Sequence, residues 1–159
     1  MHPWMSDAEA SALPGPGSAA ERRREAMTRL ARRRRAPGLL AFAGEEPVGW
    51  VAIARRKEFA RVDASPATPR FDDEAVWVIA CVTVRKAFRG RGIALALIRA
   101  AVAYAAAQGA PAVAAYPRAA ATRTGDDNAY FGTEPLLRRA GFRVVRGPLE
   151  NRARNWVPR

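Results

Sequence analysis

The sequence predicts an α/β protein built on a central mixed sheet, and three observations carry that prediction. Residues 75–85 (A-V-W-V-I-A-C-V-T-V-R) are apolar on both faces, as in a strand buried on both sides. A turn containing Gly90 and Gly92, an Ala- and Leu-rich helix over 92–108 and a short strand over 112–116 follow it. Strand, turn, helix and strand in that order make a βαβ unit, which implies parallel pairing across the helix. Upstream, the apolar runs 39–43 and 48–56 flank Gly44-Glu45-Glu46-Pro47, a hairpin pattern.

The elements follow in chain order. Residues 1–18 lack periodicity and end in the breaker cluster Pro14-Gly15-Pro16-Gly17-Ser18, so they read as a flexible leader. Residues 19–159 read as one domain. A helix is predicted over 19–35, with Ser18 as N-cap and Glu21 at capping-box spacing, stopped by Pro37. Its apolar stripe of Ala26, Met27, Leu30 and Ala31 is narrow, and arginines occupy the rest. Residues 57–74 are polar and Pro-containing, hence a long loop. In the 75–85 strand, simple alternation puts Val76, Val78, Ala80, Val82 and Val84 on one face and Trp77, Ile79, Cys81 and Thr83 on the other. Gly109 ends the long helix and Pro117 stops the strand after it. A Gly- and Asp-containing loop spans 118–132, a short helix 134–140 ends at Gly141, and 142–146 pairs with 155–157.

The 159 residues fit a single domain, and 49% hydrophobic content supplies a core. The longest apolar run, 93–107, is interrupted by Arg99 and too short for a membrane span, and no secretory signal is visible. One cysteine, Cys81, excludes an intrachain disulfide and a multi-cysteine zinc site. A cytoplasmic protein without a metal is the expectation. Net charge is +12, and all 27 basic residues except Lys57 and Lys86 are arginine. The excess is spread as +4 over residues 1–36 and +8 over 37–159, so no single arm concentrates it.

The chemistry-bearing stretch is Arg89-Gly90-Arg91-Gly92-Ile93-Ala94, between the central strand and the long helix. A helix start presents amide N–H groups without internal partners, and its dipole adds positive potential. Gly90 and Gly92 let the backbone approach an anion, and Arg89 and Arg91 add charge. Together these make a phosphate cradle. The same glycines would also serve an ordinary tight strand-to-helix turn.

This loop resembles the R/Q-x-x-G-x-G/A signature of GNAT-type N-acetyltransferases, with Arg89, Gly92 and Ala94 at its fixed positions. Leu136-Leu137-Arg138-Arg139-Ala140-Gly141-Phe142 is similar to that family's late helix, and Gly44–Trp50 to its second and third strands. The resemblance covers about residues 20–157. It implies the GNAT acyl-CoA N-acyltransferase fold, with acetyl-CoA as co-substrate. Backbone groups of Val82 and Val84 would hold the pantetheine arm, with Thr83 between them also at the cofactor, and the amides of Arg89, Gly90, Arg91, Gly92, Ile93 and Ala94 would hold the pyrophosphate. A splay between strands 75–85 and 112–116 would leave a slot for the thioester. The implied chemistry is direct attack of an amine on the acetyl carbonyl.

The chain departs from the family pattern at three places. The position of the usual base on the central strand is Cys81, a thiol among apolar neighbours whose pKa should be raised. It reads as packing, or as lining of the acyl slot. The position of the usual tyrosine acid is Leu137, which makes Tyr130 and Tyr116 the replacement candidates. Base candidates are Glu134, Asp126, Asp127 and the Asp72-Asp73-Glu74 cluster, each also readable as a turn, a loop end or a helix-start charge; His2 lies in the leader. The resemblance also implies a strand and a helix ahead of the arginine-rich helix. Residues 1–18 read as neither, so the fold lacks these first elements or its start was placed late. A missing strand would expose the edge at 39–43.

Two other functions stay open at this stage. One is an Arg-rich nucleic-acid-binding module, suggested by residues 22–35, though exposed aromatics interleaved for base stacking are missing. The other is a CoA-binding protein without turnover, suggested by Leu137 and Cys81. The expected partners are acetyl-CoA and a small amine or a protein amine, with neutral or anionic amines preferred over cationic ones. Nucleic acid and membrane are not expected partners, and the chain should be a monomer or a homodimer.

Overall fold

The computed structural model describes residues 7–69, 75–117, 132–144 and 156–158. The chain runs α1 (Asp7–Ala12), α2 (Ala19–Ala31), β1 (Gly38–Ala43), β2 (Glu46–Arg55), α3 (Ala60–Asp63), β3 (Trp77–Val84), α4 (Ile93–Ala107), β4 (Val113–Ala115), α5 (Glu134–Arg139), β5 (Phe142–Val144) and β6 (Trp156–Pro158). The strands form one sheet in the order β1-β2-β3-β4-β6-β5. Only β3 and β4 pair in parallel, across α4 as the βαβ reading requires; the other neighbours are antiparallel.

The leader is not featureless. Residues 7–12 form α1, Ala10 is fully buried, and α1 lies along α2. Arg22 of α2 holds it: Nε donates to the Ala10 carbonyl at 3.0 Å and Nη2 to the Ser11 carbonyl at 3.3 Å. A helix therefore does precede the arginine-rich one, and among the described residues no strand precedes β1. The capping box at α2 is present, with Glu21 N–H donating to Ser18 Oγ at 3.3 Å and Ser18 N–H to Glu21 Oε2 at 2.6 Å. α2 ends at Ala31 instead of residue 35. A longer helix would set Arg32 and Arg33 three and four residues from Arg29, and Arg35 three from Arg32, like charges on one face, and Pro37 disfavours helical backbone at Ala36.

Each sheet face has its own core. Val51, Ile53, Trp77 and Ile79 pack under α4 through Leu97, Ile98, Ala101 and Ala105. The opposite face carries small residues (Ala52, Ala54, Ala80, Ala114) with Val78, Cys81 and Tyr116. Residues 57–69 are more ordered than a polar loop implies. Phe59, Val62 and Thr68 are buried, and Arg56 gathers the segment. Its Nε donates to Asp63 Oδ1 at 2.9 Å and Nη2 to the Val62 carbonyl at 3.0 Å, with the Thr68 carbonyl and Tyr116 hydroxyl as further partners.

The alternation predicted for the central strand holds only up to Ala80. Ala52 pairs with Cys81 and Ile53 with Ile79, so Ala80 is an extra residue, a β-bulge in β3. The bulge moves Cys81 to the face of Val78 and Ala80, and it moves Val82 and Val84 to the α4 face with Trp77 and Ile79. Simple period-two counting from residue 75 therefore assigned the last residues of the strand to the wrong faces.

Candidate functional site

The bulge lies where β3 loses its parallel neighbour. β4 pairs with β3 at Trp77–Val113, Val78–Ala114 and Ile79–Ala115 and no further, while β3 continues to Val84. The two strands part there, and among the described residues no strand pairs with the last residues of β3 on that side; this open edge is the notch. Backbone direction there follows from the ladder. Arg85 N–H donates to the Val48 carbonyl at 2.9 Å, toward β2, so by alternation the N–H and C=O of Val84 and Val82 face away from β2, into the notch. At the other end of β3, Trp77 N–H donates to the Ala112 carbonyl, on the β4 side. Without the bulge, the odd-numbered residues would keep that side and Val82 and Val84 would bond β2. The extra residue at Ala80 is what turns those two peptide groups to the open side.

The notch leads directly to the start of α4. Gly90 and Gly92 adopt φ of +76° and +79°, left-handed backbone that glycine tolerates and other residues rarely adopt. A Cβ built on either would meet nothing within 4 Å, so these glycines serve conformation and access, not packing. Gly92 caps α4 with no side-chain hydrogen bond, and the first turn holds no acid. The other helices differ: α2 begins with a capping box, and α5 has Glu134 in its first turn. At α4 the first turn thus has neither a side-chain cap nor an acid of its own, the kind of helix start that suits an anion. Arg89 to Gly92 are exposed; Arg91 lies over the Phe88 ring at 5.3 Å, and Arg89 Nε donates to the Val84 carbonyl at 3.1 Å. The peptide groups of Val82 and Val84 therefore face the same side as the start of α4 at 89–94, whereas those of Thr83, paired with Trp50, turn toward β2, contrary to a backbone role for Thr83 at that edge.

The acetyltransferase (GNAT) family model matches residues 4–126, more than half of the chain. The chain belongs to the GNAT acetyltransferase family. It is accordingly an acetyl-CoA-dependent acyltransferase of α/β fold with a mixed sheet. Solved structures agree on the fold. The NatC complex bound to Gag peptide and CoA has a chain 14% identical at TM-score 0.53, with 94% of this chain and 84% of that one covered. A GNAT-family protein from Desulfovibrio desulfuricans is 14% identical at TM-score 0.52, covering 95% and 84%. A structure of histone acetyltransferase HPA2 and related acetyltransferase from Corynebacterium glutamicum is 21% identical at TM-score 0.50, covering 96% and 82%. Curated proteins give no sequence match.

In this acetyltransferase two of the candidate proton-transfer residues, Tyr116 and Glu134, fall within the described residues. Tyr116 directly follows β4 where the strands part, but it is buried, its hydroxyl donating to the Pro69 carbonyl at 3.2 Å and accepting from Arg56. Glu134 accepts from Arg138 Nη2 at 3.0 Å, an ion pair within α5. Leu137, at the position of the family's tyrosine acid, is fully buried in the core under α4. Cys81 sits on the small-residue face with Sγ 3.3 Å from Thr83 Oγ1, and burial pushes its thiol above the ordinary value. Tyr130, Asp126, Asp127, Asp72, Asp73, Glu74 and His2 lie outside the described residues.

Two features of the site escape sequence reasoning. The bulge has no composition signal, since Ala80 is one apolar residue in an apolar run. The second is a hollow of about 380 Å³ lined by Ala54 of the small-residue face together with Leu30, Pro37, Arg29, Arg33, Arg35 and Glu58. Among the described residues no helix is long and apolar enough to cross a membrane.

Proposed function

We propose that this protein transfers the acetyl group of acetyl-CoA to the nitrogen of a primary amine, by direct attack in a ternary complex. The observation that carries the proposal is the parting of β3 from β4 after Ile79–Ala115, with the Val82 and Val84 peptide groups turned into the notch and an uncapped helix start at its end. The strand edge matches an extended amide-containing arm, and the cradle at 89–94 matches a diphosphate. Bound there, acetyl-CoA supplies an activated thioester carbonyl. The neutral amine forms the new C–N bond, the C–S bond breaks, and N–H groups on the open edge of β3 stabilise the oxyanion formed between those events. The amine proton leaves to water. Tyr116 and Glu134 have structural partners of their own, so Tyr130 is the tyrosine assigned to return a proton to the departing thiolate.

The acceptor approaches from the small-residue face, where Cys81 and Thr83 border the notch. Ala52, the partner of Cys81, is two residues along β2 from Ala54, so the arginine-lined hollow lies on the same sheet face as Cys81, across β3 from the notch. Three arginines against one glutamate favour a neutral or anionic amine over a polycation. A panel of amines assayed by release of free thiol from acetyl-CoA tests this reading. Turnover with neutral or acidic amines supports it. CoA binding without thiol release from any acceptor would make the protein a coenzyme binder, and salt-sensitive polynucleotide binding without CoA binding would favour the nucleic-acid reading.

A further inference from the structure

The outer edge of the sheet carries a self-complementary surface. β1 pairs only with β2, and Ile53 N–H donates to the Pro37 carbonyl at 3.1 Å. Alternation from that bond turns the backbone groups of Leu39 and Ala41 toward β2 and those of Gly38, Leu40 and Phe42 outward. Among the described residues no strand takes up that outer edge. The same three residues share the small-residue face. Leu40 and Phe42, at 53% and 57% exposure, are the exposed large hydrophobics of the described chain, whereas Leu39 and Ala41 are packed toward α4.

We propose that β1 pairs antiparallel with β1 of a second copy of this chain, about a two-fold axis through Leu40. Only registers that oppose outward-facing residues to one another can form a ladder. The register centred on Leu40 opposes Leu40 to Leu40, and Phe42 of each copy to Gly38 of the other. Gly38 suits that pairing because its side-chain space is filled by the Trp50 ring, with Trp50 atoms 2.6 Å from where a Cβ would lie. Phe42 of one copy then covers Gly38 and meets Trp50 of the other. Arg35 lies in the bend before β1 and Glu45 in the turn after it, so antiparallel pairing brings the basic end of each copy toward the acidic turn of the other, an attraction repeated by the symmetry. In a chain of net charge +12, an uncharged strand (G-L-L-A-F-A) flanked by a basic and an acidic end is suited to self-association. The pairing closes on itself, so it yields a dimer and not a fibre.

The experiment combines sedimentation of the full chain over a range of concentrations with disulfide trapping in a Cys81→Ala background. A Leu40→Cys variant should cross-link to a covalent dimer on mild oxidation, since directly opposed Cα atoms lie about 5.5 Å apart, within disulfide reach. A Leu39→Cys variant should not. Arg35→Glu should weaken the dimer about tenfold or more, and adding Glu45→Arg should restore it. A monomer at every concentration, equal cross-linking at positions 39 and 40, or a charge reversal that the second substitution fails to rescue would each overturn the proposal. CoA binding, which uses the far edge of β3 with β2 lying between it and β1, serves as the check that each variant is folded.

Discussion

The Nε of Arg89 lies 3.1 Å from the carbonyl oxygen of Val84, so the side chain that opens the cradle also fastens the loop to the end of β3. That carbonyl faces the notch, which places Arg89 at the junction of strand edge and cradle. Arg89→Ala is expected to lower CoA affinity about tenfold, or about 1.4 kcal/mol. Arg89→Lys keeps the charge but loses the Nε donor, and should recover only part of the binding. Calorimetric titration of CoA checks both, and because Arg89 is exposed the melting temperature should change little.

Gly92 separates conformation from access. Gly92→Ala places a Cβ on left-handed backbone and should cost about 1–2 kcal/mol of stability, even though no atom lies within 4 Å of it. Gly92→Glu carries the same backbone penalty and also puts a carboxylate at the helix start, so it should abolish CoA binding while melting near the Ala variant. Thermal denaturation with and without CoA distinguishes the two. Equal CoA affinity in both variants would show that the cradle lies elsewhere.

Much of this was legible in the sequence, and the failures have physical causes. The central strand, the turn and the long helix were readable because burial on both faces and an N-terminal glycine pair leave strong local patterns. The bulge at Ala80 was not, since it is set by pairing with Ala52 and Ile53, and no local pattern in an all-apolar strand marks one extra residue. The order in residues 57–69 was hidden for a similar reason. Arg56 looks like surface charge until its backbone partners, the Val62 and Thr68 carbonyls, are folded around it. Residues 1–18 looked structureless because α1 is short and its stabilising contact comes from Arg22, in the next helix.

Tyr116 and Tyr130 should respond differently to loss of the hydroxyl. Tyr116→Phe leaves the Pro69 carbonyl and an Arg56 N–H without a buried partner and should cost about 1–3 kcal/mol, with kcat per folded molecule maintained. Tyr130→Phe should lower kcat about a hundredfold with little change in melting temperature. Paired measurements of kcat and melting temperature on the two variants check the assignment.

Cys81 should behave as a packing thiol. Burial raises its pKa, which the Thr83 hydroxyl only partly offsets, so alkylation should be slower than for a free cysteine at about pH 8. The unfolded chain releases the thiol proton first, so the linked stability is intact at neutral pH and is lost as pH rises from the ordinary thiol value toward the raised one. Cys81→Ala should keep acetyl transfer and remove that alkaline component.

The opposite sign holds at the start of α2. Hydrogen bonds from the Ser18 backbone and side chain, with smaller help from Arg24 and Arg22, hold the Glu21 carboxyl below its ordinary value. Its contribution is therefore present above the ordinary carboxylate value and lost as pH falls through the lowered one. Helicity followed by circular dichroism on acidification should show this loss, and Ser18→Ala should reduce it.

The central claim is that the coenzyme lies along the open edge of β3 and ends on the start of α4. Backbone amide resonances recorded during a CoA titration test it most directly. The account predicts that the largest shifts fall on Val82, Val84 and residues 91–94, saturating together. Shifts concentrated instead on α2, with those amides unmoved, would contradict it.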